Sequence, residues 1–138
     1  MDGLSVFDGS CGDLMRLLDT NVFVDHLRGH PRAIAFFQGL RDAQDVAFSS
    51  LTEAELLAGK ANADRAVRVT LLRFLQRWTK VEVSNHVAVL AGDIVRSYGL
   101  DVPDAIIAAT ALHRRAELVT KDAKDFRRVK GLRVRVPY

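Results

Sequence analysis

Residues 16–22 read Arg16-Leu17-Leu18-Asp19-Thr20-Asn21-Val22, a short apolar run that stops abruptly at an aspartate. Three residues are too few for a helix, so the run reads as a strand. A helical pattern follows to Arg28 and is closed by Gly29, and Pro31 can open the next helix. There Ala33, Phe36, Phe37 and Leu40 fall on one stripe at i, i+3, i+4, i+7 spacing, which marks them as core. The alternation continues outward. Val46-Ala47-Phe48 is a second strand, Ser50 to Lys60 is helical, and Ala63 to Trp78 is a longer helix with Val67, Leu71, Phe74 and Trp78 inward. Val81-Glu82-Val83 reads as a strand. Asn85 caps a helix burying Val87, Leu90, Ala91, Ile94 and Tyr98, and Gly99 ends it. Asp101 to Arg115 is another helix, and Leu118-Val119 and Leu132 to Val136 supply the last strands. Short strands separated by helices predict an α/β sandwich, because parallel strands need crossovers and those crossovers cover both sheet faces. In such sheets, sites form at the carboxyl ends of the strands.

With 138 residues, the chain suits one domain. Charged residues at 27% and hydrophobic residues at 49% are ordinary for a globular protein. One cysteine, Cys11, excludes an internal disulfide framework and fits a reducing compartment. No apolar run is long enough to span a membrane, and Met1 to Ser10 lacks the basic and apolar regions of a signal peptide, so the cytoplasm is expected. Residues 1–14 carry glycines and aspartates without periodicity and read as a flexible extension.

Carboxylates recur where the sheet rule says to look. Asp19 ends the first strand, and Asp122 follows the strand Leu118-Val119 with Thr120-Lys121 between. Glu55 lies in the helix after the second strand, and Asp104 lies in the first turn of the Ala/Ile-rich helix. Structural roles compete: Asp19 could cap a helix, Asp104 fits an acid at N3 behind Asp101, and Asp122 could cap a short helix before Phe126. Glu53 has capping-box spacing from Ser50, whereas Glu55 has no such explanation and falls on the apolar stripe. Like charges gathered at one edge repel unless a cation sits among them. Oxygen-only donors favour Mg²⁺ or Mn²⁺ over zinc. His26 and His30 have the spacing of a helical metal pair, but Gly29 and Pro31 break that helix. No phosphate-binding glycine loop, serine nucleophile elbow or catalytic cysteine setting is present.

Charge is unevenly placed. Arg114 to Arg135 contains nine Lys/Arg against three acids, so it nets +6 while the rest of the chain nets −3. That end suits a polyanion such as RNA, with Arg114, Arg115, Lys121, Lys124, Arg127 and Arg128 as candidate contacts. A solvated face is the competing explanation.

Four stretches, Leu17 to Val22, Ser50 to Gly59, Asp104 to Ala111 and Leu118 to Phe126, resemble in order the motifs of PIN domains, most of all the VapC-type toxins. The resemblance runs from about Met15 to Tyr138 and implies residues 15–138 as a PIN domain: a PIN-like three-layer sandwich with a five-stranded parallel sheet flanked by helices. It implies Asp19, Glu55, Asp104 and Asp122 as the acidic quartet for Mg²⁺ or Mn²⁺, with Asp125 a second candidate for the fourth position. Thr20, Asn21 and Thr120 match supporting polar positions. It also implies a homodimer, an endoribonuclease that hydrolyses RNA with metal-activated water, and inhibition by a VapB-like antitoxin. A phosphoryl-transfer protein fits less well, since Asn21 stands where a phosphatase's second aspartate would be and Leu17-Leu18 occupy a receiver's paired acids. The other readings are a PIN nuclease of RNA processing and a silent RNA- or protein-binding module.

Overall fold

Strands of two to four residues and helices of four to fourteen alternate along the chain. The computed structural model describes residues 15–138; the extension expected at 1–14 lies outside the described residues. β1 (Arg16–Leu18) leads into α1 (Thr20–Leu27) and α2 (Pro31–Gly39), then β2 (Val46–Ser49) and α3 (Ser50–Leu57). A short 3₁₀ helix (Lys60–Ala63) precedes α4 (Arg65–Leu75), β3 (Thr79–Val81) and α5 (Asn85–Tyr98). α6 (Val102–His113), β4 (Glu117–Val119), α7 (Ala123–Phe126) and β5 (Val134–Arg135) complete the order. The sheet order is β3-β2-β1-β4-β5 and every pairing is parallel. The expected five-stranded parallel sheet flanked by helices is therefore what forms.

Side chains alternate across each strand, and this builds the three layers. Leu17, Ala47 and Leu118 point to a core shared with α5, α6 and α7. Their neighbours Leu18, Val46, Phe48 and Val119 point the other way, to a core shared with α1–α4. Phe23 centres the second core, with ring centroids of Phe37 at 5.2 Å and Phe48 at 5.8 Å. Trp78 closes its edge by donating Nε1–H to the Leu40 carbonyl at 3.2 Å. β1 lies in the middle, paired on both sides, with Leu17 opposite Ala47 and Leu118. That register sets Asp19 and Thr120 side by side just past the carboxyl edge, where Asp19 N–H donates to the Val119 carbonyl.

The structure differs from the sequence reading at several boundaries. The long helix from Ala63 is broken because Asp64 caps α4, its carboxylate accepting from Ala66 N–H and Val67 N–H. Val67 then lies in the first turn of α4, on the same face as Leu71 and Phe74 but 42% exposed, and Leu71 and Leu75 are the buried residues of α4. α3 is capped by Ser49, whose Oγ accepts from Leu51 N–H, so Ser50 and Glu53 form no capping box. Ser50 Oγ instead accepts from Val83 N–H, and Glu53 pairs with Lys80 at 3.0 Å. Ser84, not Asn85, caps α5. β3 is Thr79–Val81, ending where Val81-Glu82-Val83 was expected to begin. Among the described residues, no helix is long and apolar enough to cross a membrane.

Candidate active site

Asp19 follows β1 and begins α1. Its extended backbone places one carboxylate oxygen on Thr20 N–H at 2.8 Å, so it does cap the helix. The other oxygen accepts from Thr120 Oγ1–H at 2.8 Å, and the side chain is buried. A cap and a cleft residue are here the same carboxylate. Burial pushes its pKa up to about 6, opposed by the Thr120 and Thr20 hydrogen bonds and reinforced by Asp104 and Glu55.

Thr120 is a junction. Besides donating to Asp19, its oxygen accepts from Asp122 N–H at 3.0 Å and from Asn21 Nδ2 at 3.3 Å. Asn21 Oδ1 in turn accepts from Lys121 N–H. Thr20 works similarly on the other side: its hydroxyl donates to Glu55 Oε1 at 2.7 Å and lies 2.9 Å from Thr52 Oγ1. A hydroxyl has one proton, so Thr52 must donate to Thr20. Thr52 is fully buried and was missed in the sequence, where a threonine on a helix carries no distinguishing signal.

Asp19, Glu55, Asp104 and Asp122 line one cleft of about 270 Å³ together with Thr20, Asn21, Val24, Pro103 and Ile107. They come from the end of β1, from α3, from α6 and from the turn before α7. Asp104 stands at N3 of α6, half-buried, and its pKa is raised by burial first and then by Asp122, Asp101, Glu55 and Asp125. Glu55 is exposed at the cleft, not on the buried stripe of α3, which is Thr52 and Leu56. Asp122 is exposed and makes no side-chain cap. Asp125 does not line this cleft: it lies 3.9 Å from Arg128 and lines a neighbouring polar pocket that Asp104 also borders. No Lys or Arg lines the cleft. Among the described residues, no three acidic, histidine or cysteine side chains are drawn tightly enough to enclose an ion as they stand.

The basic segment is not a single surface. Arg114 and Arg115 follow the last turn of α6, roughly 15 Å along the helix from Asp104 at 1.5 Å per residue. Arg133 donates to the Arg115 carbonyl, and Arg135 pairs with Glu117. Arg128 donates to the Tyr98 carbonyl at 2.7 Å beside Asp125. Lys121 is held against Tyr138, its ammonium 4.3 Å from the ring centre and donating to the Tyr138 carbonyl. Lys124 and Arg127 are exposed and, among the described residues, unpaired. The histidines expected not to form a metal pair do not: His30 caps α2 through Nδ1, and His26 stacks on Phe74 at 4.6 Å.

Residues 16–132 match the family model described as PIN domain. The chain belongs to the PIN domain family. Among PIN relatives it is 35% identical over 118 residues to ribonuclease VapC19 of Mycobacterium tuberculosis, covering 81% of this chain and 92% of that protein. It is similar to a chain of a toxin–antitoxin complex from Klebsiella pneumoniae at 30% identity and a TM-score of 0.73, covering 89% and 98% of the two chains. It is also similar to a chain of DNA-bound VapBC from Salmonella typhimurium at 26% identity and a TM-score of 0.75, covering 88% and 97%. The PIN match begins at β1 and includes all four cleft carboxylates.

Proposed function

We propose that this chain is a metal-dependent endoribonuclease and the toxin of a toxin–antitoxin pair, with Asp19, Glu55, Asp104 and Asp122 holding Mg²⁺ or Mn²⁺. The observation that carries the reading is four carboxylates from four separate elements in one cleft without a cationic side chain. Burial raises the pKa values of Asp19 and Asp104 first, and repulsion from the neighbouring acids adds to it. An all-oxygen donor set of this charge fits a hard divalent cation, and the four acids line the one cleft in which such an ion would sit. When bound, the ion supplies an acidified water and stabilises charge developing on the phosphodiester oxygens.

The chain's own residues divide the remaining work. Asp19 is held by two hydrogen bonds, which fix the position of its carboxylate in the cleft. Thr20, backed by Thr52, orients Glu55 at the mouth, and Thr120 ties the Asp122 backbone to Asp19. Val24, Pro103 and Ile107 make an apolar wall that limits hydration of the acids. Asp122 is the fourth acid in this reading because it shares the cleft, and Asp125 is secondary because it is turned to Arg128. Lys124 and Arg127 are the basic residues best placed to meet the RNA backbone.

A toxin of this kind needs an inhibitor, and the similar Klebsiella pneumoniae chain belongs to a toxin–antitoxin complex. A groove of about 500 Å³ between α1, the 3₁₀ helix and α4, lined by Leu27, Val67, Leu71 and Phe74, is an apolar seat for a VapB-like antitoxin. Homodimerisation and a cytoplasmic setting belong to the same reading.

The test is incubation of defined RNAs with purified protein, with and without Mg²⁺ or Mn²⁺, followed by mapping of the ends. Water attack leaves 5′-phosphate and 3′-hydroxyl ends. Cyclic phosphate ends, or cleavage unchanged by chelator, would overturn the mechanism; cation-dependent RNA binding without cleavage would make the chain a silent module.

A further inference from the structure

We infer that His86 and His113 form a second metal site, for a late first-row divalent cation such as Zn²⁺ or Ni²⁺, separate in place and chemistry from the carboxylate cleft. His86 lies in the first turn of α5 and His113 at the end of α6. These helices pack antiparallel, and the alanine-rich buried side of α6 (Ala105, Ala108, Ala109) lets the two backbones approach closely. The two imidazoles then meet with ring centroids 4.7 Å apart and planes tilted by 41°.

That spacing fits shared coordination. An imidazole nitrogen binds zinc at about 2.0–2.1 Å, which puts each ring centre roughly 3.2 Å from the ion. Two rings bound at angles between right and tetrahedral then have centres roughly 4.5–5.2 Å apart. The observed separation lies inside that window. Both rings are exposed, and among the described residues neither is engaged in a hydrogen bond, so each can turn about its broad χ2 torsion to aim a nitrogen at a common point. The other two histidines are committed elsewhere, His30 to the α2 cap and His26 between Phe37 and Phe74. Imidazole donors select borderline metals, whereas the all-oxygen cleft selects hard ones. Arg114 and Arg115 follow His113, but exposed charges of this kind are screened by salt. A bound ion ties α5 to the far end of the helix that carries Asp104.

The test uses the full untagged chain with Cys11→Ser, so that the single thiol contributes nothing, and excess Mg²⁺ to occupy the carboxylates. Titration with Zn²⁺ or Ni²⁺, followed by calorimetry and by melting temperature, is expected to show one ion per chain and a saturable rise in Tm. His86→Ala and His113→Ala should each weaken binding by roughly a hundredfold, the loss expected when two linked ligands become one. His30→Ala should bind as the parent does. Both changes sit on exposed positions, and an unaltered Tm without metal shows that the fold is retained. Unchanged affinity in the His86 and His113 variants, one ion per two chains, or no saturable binding would overturn the site.

Discussion

Replacing Asp19 by Asn tests the cleft at its most buried point. The carboxyl has a pKa of about 6 in the fold against 3.8 as the ordinary value. Without a divalent cation, its ionisation at neutral pH therefore costs the fold about 3 kcal/mol, at roughly 1.4 kcal/mol per tenfold change in proton affinity. The sign follows from linkage. Between pH 3.8 and about 6 the folded chain holds a proton that the unfolded chain has released, so stability falls as pH rises, by roughly 1.4 kcal/mol per pH unit from this group. Its contribution is complete below the lower value and lost above the upper one. Asn removes the charge but cannot satisfy both partners: Thr20 N–H and Thr120 Oγ1–H both donate to Asp19, and one of them would face an amide NH₂. That loss is worth about 1.5–3 kcal/mol and nearly offsets the relief at neutral pH. The informative quantity is therefore the difference between the two proteins across pH. Melting of both proteins in chelator from pH 4 to 7 should show the parent losing stability relative to Asp19→Asn as pH rises. Mn²⁺ should then raise the Tm of the parent and not of the variant, and RNA cleavage should fall by at least about a hundredfold. A parent that gains stability over Asp19→Asn with rising pH in chelator would refute the argument, as would equal stabilisation of both by Mn²⁺.

Glu55→Gln should abolish cleavage while Glu53→Gln retains it and loses about 1 kcal/mol or less, because Gln keeps the shape and the Lys80 partner of Glu53 is half-exposed to solvent; activity assays and denaturant melts of both variants check this. Asp122→Asn should weaken Mn²⁺ binding more than Asp125→Asn, read by titration, and the reverse order would move the fourth acid one turn along. Lys124→Ala with Arg127→Ala should flatten the slope of log RNA affinity against log salt by up to about two, whereas Arg114→Ala with Arg115→Ala should leave it nearly unchanged. Val67→Asp should weaken capture of the antitoxin by at least about tenfold at little cost to cleavage, since Val67 is exposed in the apolar groove away from the acids.

The sheet and the cleft acids were readable because each is carried by a local signal: an apolar run, its end, and an acid placed there. Glu55 lines the cleft, but not for the reason the sequence offered, since it is off the buried stripe of α3. It sits at the mouth held by Thr20, and its neighbour Glu53 is explained by Lys80 and not by a cap. Where two polar residues stand together, as at Ser49-Ser50 and Ser84-Asn85, either can cap, and only the backbone angles decide. Asp64 inside an otherwise helical run was read through, and Val67, expected inward, lies in the first turn beyond that cap and is exposed. The basic segment shows the limit of linear reading. Residues of one segment were carried to different places, Arg114 and Arg115 past the end of α6, Arg128 to the Tyr98 carbonyl, and Arg135 and Lys121 into contacts with Glu117 and Tyr138. Thr52 and the histidine pair depend on contacts across elements and had no local signature at all.

The hydrogen bond between Thr120 and Asp19 joins residues 101 positions apart. Its consequence is one of timing during synthesis. β1, β2 and β3 can pair as they leave the ribosome, but the central strand keeps one open edge until β4 follows. Until then Asp19 lacks its threonine donor, and Asp122 has not yet been made. A chain that stops before Asp122 therefore lacks the complete proposed cleft, although α1 and α4, which form the apolar groove, are already present. The groove proposed as the antitoxin's seat is thus translated before the cleft is complete, so a partner that docks there could engage the chain before the acids are assembled.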